Sequence, residues 1–329
     1  MNSGSLSRLP AQCFYKGCRS KEEEAGKGGV SPTSGVIVRK GYYFRFSDSR
    51  KIARFQCLLC KRTFSQASFS SCFGQKKRRL NEPLRKLLAA NATHRGAARI
   101  LRVSRHTIAK KALFLGIQAK KWNDNFLRDR TSKFPISKIQ FDEMESLEKS
   151  KCLPVSIPLV VETKTNLILG FRVCSMPAKG HLAEISRRKY GYRPDERARA
   201  AHDLFTEIKP YLSPSLEIKS DENPKYPSWI RPHFPDARHL KYKGRRGCVV
   251  GQGELKRGGF DPLFSINHTA AMLRAHISRL FRRTWNTTKK KERLATHIEI
   301  YVQAHNQNIL ETSNKPRTAR NAILPTSLS

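Results

Sequence analysis

The chain has 329 residues, with 64 Lys or Arg against 26 Asp or Glu, which gives a formal net charge of +38. This imbalance indicates a polyanionic partner, because each neutralised phosphate releases counterions and favours binding. Hydrophobic residues make up 38% of the chain, enough for real cores, which excludes a wholly disordered protein. Apolar runs such as 157–161 are too short to cross a membrane, and the N-terminus lacks an apolar signal region. We therefore expect an intracellular protein with no membrane partner, whose cysteines serve as metal ligands or free thiols rather than disulfides.

Two pairs of cysteines mark the N-terminal segment. Cys13 and Cys18 form C-x4-C, and Cys57 and Cys60 form C-x2-C within F-Q-C-L-L-C-K-R-T-F-S. Two such knuckles can supply the four thiolates of a tetrahedral structural zinc site. The alternative is four unconnected buried thiols. We predict a small zinc ribbon over residues 1–78, and we interpret the other cysteines as ordinary small apolar residues: Cys72, Cys152, Cys174 and Cys248.

Residues 79–130 have the pattern of an all-α helix-turn-helix domain. After a first amphipathic segment, A-A-R-I-L-R-V-S-R-H-T predicts a short helix, a turn at Arg102 and Val103, and a second helix capped by Ser104. A recognition helix at this position would present four polar side chains to the major groove of DNA: Arg105, His106, Thr107 and Lys110. The alternative is a helical hairpin with a solvated basic face, but the basic charge of the chain favours DNA.

Alternating apolar residues predict strands from residue 134 onward. The run S-K-I-Q-F-D-E-M-E-S ends a strand at Asp142, and L-E-I-K-S-D ends a later strand at Asp221. Two more strands are expected between them, at 155–162 and 167–173, and a helix at about 198–208. If the two aspartate strands are neighbours in one sheet, their carboxylates could hold the magnesium ions of phosphoryl transfer. Alternatively, each aspartate is a turn residue after a strand.

Two helices are predicted toward the C-terminus, at 266–285 and 291–305, before a polar tail at 311–329. Asn267 and Arg274 lie two turns apart at the border of the apolar stripe of the first helix. The basic segment 176–194 is either a DNA-contacting insertion or a solvated loop, and the sequence does not distinguish these.

In this order, the segments resemble a bacterial insertion-sequence transposase with a zinc ribbon, a helix-turn-helix and a DDE nuclease core. The motifs that carry the resemblance are the F-Q-C-L-L-C-K-R-T-F-S knuckle, A-A-R-I-L-R-V-S-R-H-T, F-D-E-M-E-S, K-S-D and I-N-H-T-A-A-M-L-R-A-H-I-S-R-L-F-R-R-T. It implies an α/β ribonuclease H-like core over 131–310, with the Asp142 and Asp221 strands side by side. It also implies Mg²⁺ or Mn²⁺ as the catalytic metal and double-stranded DNA as the partner, bound at terminal repeats and target sites. A homo-oligomer on DNA and a cytoplasmic, nucleoid-associated bacterial protein would follow.

The sequence departs from the pattern of this family at one catalytic position. The resemblance assigns the first acid to Asp142 and the second to Asp221, but the third falls on Asn267, with Arg274 two turns further on. Glu254 or Asp261 could instead supply the missing acid. Three functions compete: an active transposase, a DNA-binding regulator that has lost catalysis, and a basic RNA-binding protein. The paired aspartates and the helix pair argue against the third.

Overall fold

The computed structural model describes residues 9–18, 36–46, 49–243, 261–281 and 285–314. The chain divides into two compact units, Met1–Glu82 and Pro83–Ser329. The tail after residue 314, Glu254 and Cys248 lie outside the described residues. None of the described helices combines the length and the apolar character that crossing a membrane requires.

The first unit contains a three-stranded antiparallel sheet. Its strands follow one another in the order β1 (Ile37–Arg45), β2 (Arg50–Cys57) and β3 (Thr63–Ser65). Phe55 and Phe64 face each other across β2 and β3 and pack with the buried cysteines. This small core is the setting of the cysteine cluster described below.

The second unit begins with three helices, α1 (Asn81–Ala89), α2 (His94–Ile100) and α3 (Arg105–Thr131). Both caps of the predicted helix pair form: the Thr93 side chain accepts from Gly96 N at 3.0 Å, and the Ser104 side chain accepts from Thr107 N at 3.2 Å. Between the two helices Arg102 adopts a left-handed φ of 50°. The helix pair therefore forms where the sequence predicts it.

A mixed six-stranded sheet forms the centre of the second unit, so the unit is α/β. Its strands are β4 (Ile136–Leu147), β5 (Pro154–Glu162), β6 (Ile168–Phe171), β7 (Cys174–Ser175), β8 (Leu212–Asp221) and β9 (Arg238–Tyr242). They lie in the order β6-β5-β4-β8-β9, and β7 also pairs with β5. β4 is antiparallel to β5 but parallel to β8, and β8 is parallel to β9.

Helices cover both faces of this sheet. One face packs against α5 (Arg197–Ile208) and α6 (Tyr226–Ile230). The other packs against α7 (Phe264–His276) and α8 (Lys291–Asn314). The remaining helix, α4 (Leu182–Tyr190), lies within the basic segment that the sequence left undecided.

The prediction of one long helix at 266–285 is wrong. α7 ends at His276 because Ile277 is extended, with φ −116° and ψ 103°, and a short 3-10 turn follows at Ser278–Leu280. Ile277 and Leu280 are buried as the apolar stripe predicted, but the backbone that carries them is not α-helical.

Candidate metal centre and acidic site

The four predicted zinc ligands come together in the first unit. One Sγ atom from each of Cys13, Cys18, Cys57 and Cys60 lies within 4.8 Å of all the others. The closest pairs are Cys13 with Cys60 at 3.7 Å and Cys18 with Cys57 at 3.6 Å. Four sulfurs at the usual zinc–sulfur distance of a tetrahedral site are about 3.8 Å apart, so the cluster fits such an ion.

Backbone hydrogen bonds shape the two knuckles. Cys57 N donates to Arg62 O at 3.1 Å, which closes the turn after β2, and Cys18 N donates to Tyr15 O at 3.3 Å. Burial, with smaller contributions from neighbouring thiols, raises the pKa of Cys13 to about 12. Four thiolates can therefore coexist here only around a cation, so the cluster can bind a structural metal, and an all-thiolate set favours Zn²⁺.

The two predicted catalytic aspartates lie on neighbouring strands. The last pair of residues in the parallel β4–β8 ladder is Gln140 with Lys219, and Asp142 and Asp221 each follow two residues later. Because side chains alternate along a strand, this spacing directs both carboxylates to the same sheet face. Asp142 lies opposite Leu159, which packs with α7 and α8, so that face is the one that these helices cover.

The prediction that the first strand ends at Asp142 is wrong. β4 continues to Leu147 because β5 remains paired with it along its whole second half. Asp142 thus lies in mid-strand, at the place where β4 parts from β8, and Asp221 is the last residue of β8. The β4–β8 ladder has ended before this point, so no β8 residue is paired with Asp142.

Burial, with a smaller contribution from the charge of Asp221, raises the pKa of Asp142 to about 6. The Tyr226 hydroxyl donates to Asp142 Oδ1 at 3.1 Å, and Glu143 N donates to the same oxygen at 2.7 Å. A carboxylate whose charge is disfavoured by burial, and which is fixed by a hydroxyl and a backbone N–H, is one that a bound cation would stabilise.

Gln140 ties α7 to this acidic site. Its side chain is 2% exposed, its Nε2 donates to Pro262 O at 3.0 Å, and its Oε1 accepts from Ile266 N at 2.9 Å. The first turn of α7 is therefore fixed to β4 two residues before Asp142. Neither Gln140 nor Tyr226 is predicted from the sequence: a polar residue between Ile139 and Phe141 indicates only an exposed position, and the partner of Tyr226, Asp142, is remote in sequence.

Asn267 lies in the first turn of α7, and Arg274 follows on the same helix. Asn267 Nδ2 donates to Asp261 Oδ2 at 2.8 Å, while Asp261 Oδ1 accepts from Leu263 N at 2.9 Å. Asp261 thus stabilises the turn that leads into α7 and orients the Asn267 amide. Among the described residues, no third His, Cys, Asp or Glu joins Asp142 and Asp221 in a group tight enough to hold a metal.

The predicted DNA-reading residues lie in the first turns of α3. Arg105, His106 and Lys110 are exposed, whereas Thr107 is partly buried and its hydroxyl lies 2.9 Å from that of Ser104. Thr107 therefore takes part in the helix cap, and the three exposed side chains form the available polar surface.

No known protein-family model matches this chain, and no curated protein sequence matches it.

Proposed function

We propose that the protein is a DNA transposase. Its α/β unit would have a ribonuclease H-like fold, and Asp142 and Asp221 would be the catalytic residues that bind the metal for DNA cleavage. The observation that carries the proposal is the placement of these carboxylates, side by side on one sheet face where β4 and β8 separate. Acidic residues at such a place hold divalent cations in phosphoryl-transfer enzymes.

The strand order supports the fold assignment. In the order β6-β5-β4-β8-β9 the first strand of the sheet, β4, lies between β5 and β8. The pairings of β5 are antiparallel, whereas β4 and β8 pair in parallel. This is the arrangement that the resemblance implies, with α5 leading into the Asp221 strand.

The surrounding residues have positioning roles in this proposal. Tyr226 and the Glu143 backbone N–H hold one oxygen of Asp142, which leaves its other oxygen and Asp221 to bind the cation. A bound Mg²⁺ would stabilise the negative charge that develops on the phosphoryl group. Gln140 fixes the start of α7, so that Asn267 and Arg274 are held on the same sheet face.

A net charge of +38 and the exposed side chains Arg105, His106 and Lys110 support DNA as the partner. Assembly of two copies on two DNA ends stays a prediction from the resemblance.

A DNA-binding regulator that has lost catalysis is the second candidate. One observation favours it: within the described residues the aspartate pair has no third acidic partner. Asn267 offers at most a neutral oxygen, and Mg²⁺ prefers charged ones.

Cleavage of duplex DNA that carries the sequences flanking the gene tests the proposal. The parent protein should nick this DNA in Mg²⁺ or Mn²⁺, and Asp142→Asn should abolish nicking while binding the DNA as tightly. Asp203→Asn is the matched control, because Asp203 is an exposed acid on α5. A parent protein that binds but never nicks would establish the regulator instead.

The variant Asn267→Ala tests whether Asn267 binds the cation or only stabilises the start of α7. If its amide completes the cation site, this change should lower cleavage strongly. A variant as active as the parent would show that Asn267 serves only the start of α7.

A further inference from the structure

Arg279 lies in the 3-10 turn between α7 and α8 and is partly buried. Its Nη1 donates to Thr288 Oγ1 at 3.3 Å, and its Nη2 lies 3.4 Å from His94 Nε2. Neither partner carries a negative charge. A guanidinium has five N–H donors, so these contacts use only part of its capacity.

The charged groups that act on Arg279 are positive. Burial and the charge of Arg293 lower its pKa, and among the described residues no carboxylate lies within ion-pair distance of it. Burial, Arg279 and Arg293 lower the pKa of His94 to about 4, so its ring is neutral and accepts a hydrogen bond. The partly buried guanidinium charge therefore has no acidic partner among the described residues, which costs free energy in the unliganded protein.

Four other partly buried arginines of this unit have acidic partners, among them Arg193 with Glu148, whereas Arg85 donates to Gln307. Arg130 pairs with Glu162 at 2.8 Å, and Arg197 pairs with Asp195 at 2.7 Å. Arg172 likewise pairs with Glu207. Arg279 departs from this pattern, although its side chain is held on both edges.

The neighbours of Arg279 are firmly fixed. Thr288 is fully buried, its hydroxyl donates to Lys290 O at 2.7 Å, and its carbonyl accepts from Lys149 N at 2.9 Å. The ring of His94 lies 6.4 Å from that of His297, whose Nε2 is 3.0 Å from Leu88 O. The guanidinium is thus preorganised between the start of α2 and the segment before α8.

We propose that Arg279, with Arg293 beside it, is a phosphate-binding site that takes a backbone phosphodiester of bound DNA. A planar guanidinium matches phosphate geometry and is strongly favoured as its partner. The place also suits DNA, since the first helix of a helix-turn-helix pair crosses the DNA backbone and His94 is the first residue of α2. This inference rests on the DNA-binding part of the proposed function and not on cleavage.

The salt dependence of duplex binding by the full-length chain is the first test. Loss of one phosphate contact in Arg279→Gln should lower the slope of log K against log[salt] by about one and weaken binding about eightfold at 0.1 M salt. Arg279→Lys should keep most of the slope because it keeps the charge. Arg130→Gln is the matched control and should leave the slope unchanged, since Glu162 already compensates that charge.

Inorganic phosphate is the second probe, and it does not depend on DNA. At constant ionic strength, phosphate should raise the Tm of the parent more than chloride does, and should lose this effect in Arg279→Gln. If Arg279→Gln fails to fold, exposed Arg293→Gln carries both tests and should reduce both responses.

The outcomes separate the two proposals. DNA binding with an unchanged slope in Arg279→Gln, together with equal phosphate responses, overturns the site and leaves the transposase proposal intact. A phosphate response that requires Arg279, in a protein that binds no DNA, overturns the DNA assignment and shows a site for free phosphate. An equal response in all variants means an adventitious ion only.

Discussion

Glu299 is an acid on α8 that is largely withdrawn from solvent against α3. Its Oε2 accepts from Asn123 Nδ2 at 2.7 Å, and Asn123 Oδ1 is buried with no hydrogen-bond partner among the described residues. Burial raises the pKa of Glu299 from 4.5 to about 7, and the hydrogen bond from Asn123 only partly opposes this. The folded protein therefore prefers the protonated carboxyl.

This preference predicts how stability changes with pH. Between pH 4.5 and 7 the folded state binds more protons at Glu299 than the unfolded state, so the contribution of Glu299 to stability falls as pH rises through this window. Glu299→Gln keeps the Asn123 contact and carries no charge. We expect it to gain stability relative to the parent between pH 4.5 and pH 8, by on the order of 3 kcal/mol at most.

Urea unfolding at the two pH values measures this difference. The control is Glu311→Gln, an exposed acid on the same helix, which should show no comparable change. A Glu299→Gln variant that follows the parent at both pH values would contradict the burial argument.

At this scale the sequence predicted the side chains whose role depends on local spacing. The C-x4-C and C-x2-C pairs and the Ser104 cap are of this kind. Gln140 and Tyr226 were missed because their partners are remote in sequence: Gln140 bonds to Pro262 and Ile266, and Tyr226 to Asp142. The spacing of apolar residues predicts which face of an element a residue occupies, but it does not predict which distant segment packs against that face.

Among the elements, α3 has two distinct halves. Its first turns are exposed at Arg105 and Lys110, while its middle packs closely against α8. A Cβ at Gly116 would lie 2.2 Å from Thr296 Cγ2 and 2.7 Å from Thr296 O, so the two helices approach too closely for any larger residue.

Gly116→Ala should therefore destabilise the protein by about 1–3 kcal/mol through overpacking, despite the better helix propensity of alanine. Gly96→Ala is the matched control in α2, because its Cβ would meet only the Thr93 hydroxyl at 3.3 Å. Thermal unfolding should show a clear loss for Gly116→Ala and a change within about 1 kcal/mol for Gly96→Ala. Equal stability of both variants would mean that α3 and α8 can move apart at little cost.

The exposed half of α3 gives a prediction about DNA. If Arg105 reads a base edge, Arg105→Ala should cost about 1–3 kcal/mol and relax sequence preference. If Lys110 contacts phosphate, Lys110→Ala should weaken all sequences alike and flatten the salt dependence. Binding measurements on matched and scrambled duplexes distinguish these effects, and two variants that bind like the parent would exclude α3 as the reader.

The sequence predicted elements best where apolar periodicity is strong. α5 and the strand β5 lie within one residue of their expected bounds, and β8 ends at Asp221 as expected, although it begins at Leu212 rather than at Leu216. The end of α7 at His276 could not be predicted, since no Gly or Pro marks it and the extended Ile277 is set by its burial against the sheet. α4 was undecided because the segment around it is basic, and a basic segment is equally compatible with a DNA-contacting insertion and a solvated loop.

At the scale of the whole molecule, the chain forms two compact units, and the first depends on its cysteine cluster. Its sheet is small, and its buried core consists largely of the cysteines and the residues around them. Small domains of this kind obtain much of their folding free energy from the metal.

Cys57→Ser should therefore remove about one equivalent of zinc per chain and unfold the first unit, because three thiolates hold the ion poorly. Elemental analysis measures the metal, and hydrogen exchange of the β2 and β3 amides measures the fold. Cys72→Ser, in the same unit but outside the cluster, should retain both. Unchanged zinc in Cys57→Ser would show that Cys57 is not a ligand.

The sequence suggested a helix-turn-helix domain at 79–130 followed by a separate core, whereas the three helices and the sheet belong to one compact unit. The interactions that join them are long-range: Gly116 contacts Thr296, and Asn123 bonds to Glu299. A local pattern indicates a helix but not the helix against which it will pack.

If α3 reads DNA as proposed, a lineage that carries this chain cannot replace α3 alone with the reading helix of another protein. A helix from another protein would lack Gly116 and Asn123, which contact Thr296 and Glu299, so it would no longer pack against α8. New target preferences would instead arise by point substitutions at the exposed positions Arg105, His106 and Lys110. Divergent relatives should therefore vary in the codons for the first turns of α3, while codons for its middle change in step with those of α8.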